Sequence, residues 1–248
     1  MLNIPLIGYI ISLMNDRRPA MFFSFSYDPY IAVIGDIKNS RNIKNRGEVQ
    51  KKLNGVLEGV NERYAEDLSS KFVITLGDEF QGLLCRGATT MHILFEIERR
   101  MYPVKIRFGI GVGRITTDVI KEMSIGADGP GYYRARNAVD FLKADEKKNR
   151  TEPADIRLEL DEENLASQIM INTVLSLMTV IKESWSDRQR EIIWDMMEHQ
   201  DSQANAAKRL NIRQPAVQKS LSKGNYYAYK DAFETLGKAL EEIERRDV

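Results

Sequence analysis

The sequence predicts an α+β protein in which a β-sheet domain is followed by an all-helical domain. Short apolar runs that end in glycine alternate with helical apolar repeats from Ile31 to about Leu160, which is typical of a mixed sheet with helices. From Ser184 onward only helical repeats occur. We therefore divide the chain into an N-terminal extension (1–29), a sheet domain (30–160), a connecting helix (161–183) and a helical domain (184–248).

The elements of the sheet domain follow the order strand, helix, hairpin of two strands, helix, strand. They span residues 31–34, 48–66, 72–84, 89–101 and 105–113. This βαββαβ order is that of a ferredoxin-like sheet, in which the third strand lies between the parallel first and second strands and helices cover one face. A third helix from about Gly131 and an edge strand over 156–160 complete the predicted domain.

Two glycine-aspartate steps end the first two strands. Gly35-Asp36 follows one apolar run and Gly77-Asp78 follows the other. Because these strand ends meet at one edge of the predicted sheet, we expect Asp36 and Asp78 to face each other. Carboxylates beside exposed backbone N–H groups suit a magnesium ion and a phosphorylated ligand. The alternative is plain turn chemistry, since Gly-Asp is a favoured turn dipeptide.

Four motifs, IGDIKNS, TLGDEF, KIRFGIGVG and GADGPGYYRAR, together resemble the catalytic domain of class III nucleotide cyclases and GGDEF diguanylate cyclases. GDIKNSR with LGDEFQGL resembles the bacterial SatD family more closely. The cyclase resemblance implies that Asp36 and Asp78 bind Mg²⁺, or Mn²⁺, beside a purine nucleotide. It also implies phosphate contacts from the loop formed by Ile37, Lys38, Asn39 and Ser40.

Basic residues near the same edge could neutralise further phosphate charge. The candidates are Lys38, Arg41, Arg134 and Arg136. Glu79 is expected to be a solvent-facing or supporting carboxylate rather than a ligand, and Arg107 to lie on a polar face of its strand.

Three positions depart from the cyclase pattern. Ile74 replaces a purine-reading lysine, Tyr132 replaces an asparagine, and Leu76 takes the first glycine position of GGDEF. These changes favour nucleotide binding over cyclase activity. An active nucleotidyl cyclase or nucleotidyltransferase is one alternative, and a protein-interaction module with a degenerate site is another.

The helical domain has the pattern of a helix-turn-helix unit. The first helix spans 187–198, and the second begins at Ser202, which is its N-cap candidate. A turn and a third helix that begins near Pro215 follow. Between Ser202 and Lys230 there are six basic and no acidic residues, which indicates binding to the phosphates of double-stranded DNA. The DNA-binding candidates are Arg213, Gln214, Gln218, Lys219, Ser222 and Lys223. The alternative is a helical interaction module with a basic face.

Composition adds little about partners, because 36 basic and 36 acidic residues give zero net charge. Cys85 is the single cysteine, which excludes an internal disulfide and favours a reducing cytoplasm. The apolar stretch at the start of the chain is too short, and too interrupted, to span a membrane. We interpret it as lying upstream of an alternative translation start at Met21. The wide apolar sector of the connecting helix predicts burial on more than one side, either between domains or between subunits. A last helix over 226–244 is expected to pack on the helix-turn-helix unit or to form a homodimer.

Overall fold

The computed structural model describes residues 22–148 and 154–244, so most of the predicted extension and the suggested start at Met21 lie outside the described residues. The strands are β1 (Tyr30–Ile37), β2 (Leu68–Leu76), β3 (Glu79–Leu84), β4 (Ile106–Gly113) and β5 (Ile156–Glu159). The helices are α1 (Arg46–Arg63), α2 (Thr90–Met101), α3 (Pro130–Glu146), α4 (Leu165–Glu183), α5 (Asp187–His199), α6 (Gln203–Arg209), α7 (Gln214–Lys223) and α8 (Tyr226–Glu241).

The five strands form one mixed sheet in the order β2-β3-β1-β4-β5. β1 lies antiparallel to both β3 and β4, β2 is antiparallel to β3, and β5 is parallel to β4. The predicted order, with β3 between β1 and β2, is confirmed, and so is the added edge strand. The ends of β1 and β2 that carry the Gly-Asp steps lie at the same end of the sheet.

Helices cover both faces of the sheet, which corrects the expectation of helices on one face. Ile31 and Val33 belong to the large core that includes α1 and α2. Ala32 and Ile34, which alternate with them along β1, instead pack with Ala135 and neighbouring residues of α3. Because alternate residues of a strand point to opposite faces, α3 covers the face opposite to α1 and α2.

Glycines in β4 allow α3 to lie directly on the sheet. A Cβ atom on Gly111 would lie 2.1 Å from the carbonyl oxygen of Gly131 and 2.2 Å from the amide nitrogen of Ala135. A Cβ atom on Gly109 would lie 2.2 Å from the Ala135 carbonyl oxygen. The glycine spacing of GIGVG therefore marks the strand against which a helix backbone packs closely, and not a nucleotide-binding turn.

α4 runs along the outer strand β5 and binds its backbone. The side-chain amide of Asn172 accepts from the Leu158 N–H and donates to the Leu158 carbonyl, at 2.8 Å each. The Leu160 N–H donates to Gln168 Oε1 at 2.6 Å. No strand of residues 22–148 or 154–244 pairs with β5 on this side, and these polar side chains bind its backbone instead.

Only one side of α4 is buried by the described residues of this chain, so burial between the two domains on more than one side is not found, and burial between subunits stays a prediction. The buried side includes Ile171, Leu175 and Met178. By length and composition alone the segment Glu162–Glu183 could cross a membrane, a test that the core helix of a soluble protein also passes. The exposed apolar side chains are those of Leu165, Ile169, Met170, Leu177 and Val180.

The C-terminal helices begin and end close to the predicted positions. Ser186 and Gln189 form a capping box at the start of α5, and Ser202 caps α6 as predicted. α8 packs against α7, α2 and α4. Its apolar residues join the large core that also contains α1, α2 and one face of the sheet, so this apolar side is used within the chain.

Candidate functional site

Three charged side chains form a row across the end of the sheet. Asp36 of β1 lies directly opposite Glu79 of β3 and Arg107 of β4. Residues directly opposite each other in antiparallel strands share a face, so all three point to the face covered by α3. Asp36 and Glu79 are each 5% exposed, and Arg107 is 7% exposed. Burial of this many charges requires partners.

Basic side chains pair with both carboxylates of the row. Asp36 accepts from Arg107 and forms an ion pair with Lys143 of α3, with Oδ1 and Nζ 2.7 Å apart. Arg136 of α3 donates two hydrogen bonds to Glu79, one of them 2.5 Å long. Glu79 is therefore buried and paired, which corrects the alternative of a solvent-facing carboxylate. α3 supplies two of the three cations.

The ion pairs continue from the row toward α4. Arg107 also donates to Glu146, with Nε and Oε1 2.9 Å apart. Lys38 forms ion pairs with Glu146 at 3.1 Å and with Asp155 at 2.5 Å. Asp155 forms a further ion pair with Lys182 of α4 at 2.9 Å. Burial alone would raise the pKa of Glu146, but Arg107 and Lys38 outweigh it and hold that pKa below its ordinary value.

Asp78 lies in the turn between β2 and β3, where Gly77 has φ +57°. Its carbonyl oxygen accepts from the Ile37 N–H at 3.0 Å, so the backbones of the two Gly-Asp steps are neighbours. That the two carboxylates face each other stays a prediction. Its carboxylate accepts from the Ser40 hydroxyl, whereas Asp36 binds cations under α3. Over residues 22–148 and 154–244 no group of three or more His, Cys, Asp or Glu side chains is placed to hold a metal.

The loop after β1 has an exposed tip. Asn39 adopts a left-handed conformation with φ 54°, and the side chains of Asn39 and Arg41 are exposed. Ile37 and Ser40 are buried, and Lys38 is committed to the ion pairs described above. Among the loop residues that were predicted to contact phosphate, Asn39 and Arg41 are therefore the ones exposed to solvent.

The two arginines of α3 that were predicted for the site lie in different places. Arg136 reaches the row through Glu79. Arg134 donates to the Val112 carbonyl at 2.5 Å and to the Tyr27 hydroxyl at 3.1 Å. Val112 is near the opposite end of the sheet from Asp36, so Arg134 is not brought to the site.

Arg107, Lys143 and Glu146 are site residues that the sequence analysis missed or undervalued. Arg136, Lys143 and Glu146 recur at intervals of seven and three along α3, which places them along one side of a helix. That periodicity was the signal in the sequence that could have identified them as site residues. To use it, one must also know that α3 crosses the sheet above the end of β1.

Tyr132 occupies a core position and not the site. It packs with Ala32 and Leu83 between α3 and the sheet and is 6% exposed. Burial raises the pKa of its hydroxyl. The position at which the cyclase resemblance places an asparagine is therefore filled by a packed aromatic ring.

The C-terminal basic segment is partly neutralised within the fold. Arg209 binds Asp195 and Asp201, with nitrogen–oxygen distances of 2.7 and 2.6 Å, and Lys230 pairs with Glu234. Four exposed cations remain without an ion pair among the described residues: Lys208, Arg213, Lys219 and Lys223. The predicted DNA-binding side chains Gln214, Gln218 and Ser222 are exposed on or beside α7, and Gln218 hydrogen bonds to Gln203 and Ser222.

The model of the SatD family matches residues 30–232. No curated protein sequence matches the chain. Among solved structures, a bacterial light-regulated adenylyl cyclase is 10% identical with a TM-score of 0.39, over 52% of this chain and 74% of that one. The guanylate cyclase domain of RhGC from Catenaria anguillulae in complex with GTP is 15% identical with a TM-score of 0.38, over 57% and 82%.

A third solved structure, the Regulator of Polyketide Synthase Expression from Bifidobacterium adolescentis, covers more of the chain. It is 13% identical with a TM-score of 0.30, over 93% of this chain and 90% of that one. TM-scores this low carry no functional argument.

Proposed function

This chain belongs to the SatD family, and we propose that it is a cytoplasmic regulator that binds a purine nucleotide with Mg²⁺ at the end of its sheet and DNA through its C-terminal helices. The nucleotide site is the part of the proposal with the more direct structural support. The DNA site rests on the exposed cations of α7 and the turn before it.

One observation carries the nucleotide proposal. The backbones at Asp36 and Asp78 are joined by the Ile37–Asp78 hydrogen bond, and cations surround this end of the sheet. A cluster of cations beside two carboxylates suits a ligand that brings both phosphates and a metal ion. The cations are Lys38, Arg41, Arg107, Arg136 and Lys143.

The oxygen donors fit Mg²⁺, or Mn²⁺, in their chemistry, because both ions prefer carboxylate oxygens. Asp36 and Asp78 would hold the ion, which would neutralise phosphate charge. Lys143 is the cation that must leave Asp36, since its side chain is 35% exposed whereas that of Arg107 is 8% exposed. Lys143 is then free to pair with a phosphate oxygen.

We expect ATP or GTP with Mg²⁺ to raise the melting temperature of the full chain, and Asp78→Ala to abolish the increase. A ligand at about 100 times its Kd stabilises the folded state by about 2.7 kcal/mol. For a chain of this size, that corresponds to an increase of several degrees in the melting temperature. Asp78 is half-buried and binds a hydroxyl, so its loss leaves no buried cation unpaired. Differential scanning fluorimetry with and without Mg²⁺ measures the shift.

Asp118→Ala is the matched control, because Asp118 is an exposed aspartate in the loop after β4, at the other end of the sheet. It should keep the full shift. A wild-type chain that no purine nucleotide stabilises, or an Asp78→Ala chain that responds like wild type, would contradict the site. Pyrophosphate release from ATP or GTP in the same mixtures would identify an enzyme instead of a sensor.

The proposed DNA-reading unit is a helix-turn-helix formed by α6 and α7. Ile212 is half-buried in the connecting turn, and Val217 and Leu221 of α7 are buried. The opposite side of α7 is polar, with Lys219 and Lys223 exposed. This arrangement supports insertion of α7 into a major groove, where glutamine and lysine can bind base edges.

We expect the full chain to bind duplex DNA with an affinity that falls steeply as salt rises. Replacing Lys219 by alanine should weaken binding and reduce the slope of log K against log salt by about 1, because one phosphate contact is lost. Fluorescence anisotropy with a labelled duplex measures both quantities. Lys51→Ala, which removes an exposed lysine of α1, is the control and should leave the slope unchanged.

The same titration tests the proposed homodimer. Two chains per duplex are expected if symmetric half-sites are read together. Salt-insensitive binding, or equal slopes for the wild type and Lys219→Ala, would favour a protein-interaction role for these helices.

A further inference from the structure

Four polar side chains connect helices α6, α7 and α8 through hydrogen bonds. Gln203 of α6 donates from Nε2 to Gln218 Oε1 of α7 at 2.6 Å and to the Tyr227 hydroxyl of α8 at 3.2 Å. Gln218 donates in turn from Nε2 to the hydroxyl of Ser222, one turn further along α7, at 3.2 Å. We call these four side chains the polar cluster. Gln203 and Tyr227 are not among the residues proposed above to contact DNA.

The polar cluster is open to solvent. Tyr227 is 50% exposed, Gln218 and Ser222 are exposed, and Gln203 is half-buried. The segment from Ser202 to Lys230, which carries all four side chains, contains six basic and no acidic residues. It therefore adds no negative charge that would repel the phosphates of a nucleic acid.

The hydroxyl group of Tyr227 has a hydrogen left to donate. A phenolic hydroxyl can accept through its oxygen and has one hydrogen to give. The oxygen accepts from Gln203, and no side chain or backbone group of residues 22–148 and 154–244 accepts the hydrogen. The hydrogen is therefore available to an acceptor outside the chain. A DNA phosphate oxygen is a strong acceptor, because it carries negative charge.

The side-chain amide of Gln218 is held in one orientation with half of its hydrogen-bonding capacity unused. An amide has two lone pairs on its oxygen and two N–H hydrogens. Gln203 uses one lone pair and Ser222 uses one hydrogen, so the two partners distinguish the oxygen from the nitrogen. One acceptor site and one donor remain. These are the two groups with which a glutamine binds the N6 and N7 atoms of adenine.

We propose that the polar cluster is a DNA-contacting unit in which Tyr227 donates to a phosphate oxygen and Gln218 binds the edge of an adenine in the major groove. Gln203 is the positioning residue, because it binds both of the others. This inference rests on the proposed DNA-binding function and extends its contact surface to α8. A phosphate contact fixes the position of a protein on the duplex, and a base contact supplies sequence preference.

Fluorescence anisotropy of the full chain with a labelled random-sequence duplex tests the phosphate contact. Tyr227→Phe removes only the hydroxyl group and should weaken binding about tenfold. The slope of log K against log salt should stay that of wild type, because a neutral side chain releases no counterion. Tyr133→Phe, at a tyrosine of α3 that is 53% exposed, is the matched control and should bind like wild type.

Lys219→Ala separates a failure of this inference from a failure of the proposed function. If Lys219→Ala weakens binding and Tyr227→Phe does not, DNA is bound without the phosphate contact and the inference is overturned alone. A wild-type chain that binds no duplex overturns both. Because the Tyr227 hydroxyl is exposed, the melting temperature of Tyr227→Phe should equal that of wild type. If it is lower, the base preference decides.

Selection of bound duplexes from a randomised library, followed by sequencing, measures the base preference. We expect wild type to select an adenine at a fixed position, and Gln218→Ala to lose this preference. Gln203→Leu is similar in size but cannot donate to Gln218, so it should reduce the preference for adenine at least about fivefold. A Gln203→Leu chain that keeps the wild-type preference, or a wild-type chain that selects no adenine, would overturn the proposal.

Discussion

Replacing Lys182 by methionine is expected to lower the free energy of unfolding by about 3–5 kcal/mol, because it removes one partner from a buried group of charges. The Lys182 side chain is 4% exposed and pairs with Glu98 and with Asp155, the latter at 2.9 Å. Methionine fills a similar volume, so the loss is one of charge and not of packing. Asp155 keeps Lys38 as its remaining partner.

Urea unfolding of the two proteins measures the difference. Lys51→Met, at an exposed position of α1, is the matched control and should change the free energy by less than about 0.5 kcal/mol. A loss below about 1 kcal/mol for Lys182→Met would show that these ion pairs contribute little.

The pH dependence gives a second readout of the same substitution. Burial alone would raise the pKa of Asp155, but Lys182 and Lys38 hold it below its ordinary value of 3.8. A carboxyl group whose pKa is lowered by folding stabilises the protein above its ordinary pKa, and this contribution is lost as the pH falls through the lowered value. The advantage of wild type over Lys182→Met should therefore shrink below pH 3.8.

Gly111→Ala is expected to lower the free energy of unfolding by about 1–3 kcal/mol or more, because the added methyl group overpacks a closed interface. The new Cβ atom would lie 2.1 Å from the Gly131 oxygen and 2.2 Å from the Ala135 nitrogen, both backbone atoms of α3. Backbone atoms cannot rotate away, so the whole helix must move off the sheet.

Gly55→Ala is the matched control for this change. A Cβ atom on Gly55 meets nothing within 4 Å, and the residue is exposed inside α1. Alanine favours a helix interior over glycine by roughly 0.5–1 kcal/mol, so this variant should be more stable than wild type. Thermal and urea unfolding of both variants check the opposite signs. Equal effects would contradict close contact between α3 and β4.

Much of the fold was predictable because local patterns and global packing agree. The apolar run at Ile31 and the Gly-Asp turn at Gly77 each identified a strand end, and the βαββαβ order then fixed the strand sequence across the sheet. The side of the sheet covered by α3 was not predictable in this way. It depends on the small residues Gly109 and Gly111, whose role appears only when a helix backbone is placed against them.

The site was predictable in its backbone but not in its side-chain pairing. The sequence brought Asp36 and Asp78 to one end of the sheet, and the Ile37–Asp78 hydrogen bond agrees. It did not reveal that Asp36 pairs with Arg107 and Lys143, because those partners lie 71 and 107 positions further along the chain. Long-range ion pairs depend on three-dimensional register, which periodicity within one element does not report.

In the part of the chain that the structure describes, the outer edge of the sheet is closed by side chains of α4 and not by a further strand. Asn172 supplies one acceptor and one donor to Leu158, which are the two groups that a neighbouring strand would have bound. An open edge is a template on which another polypeptide can add as a strand, and edge-to-edge addition leads to aggregation. The amide of Asn172 therefore occupies the backbone groups of Leu158 to which an added strand would bind, and so protects this edge of the sheet against β-addition.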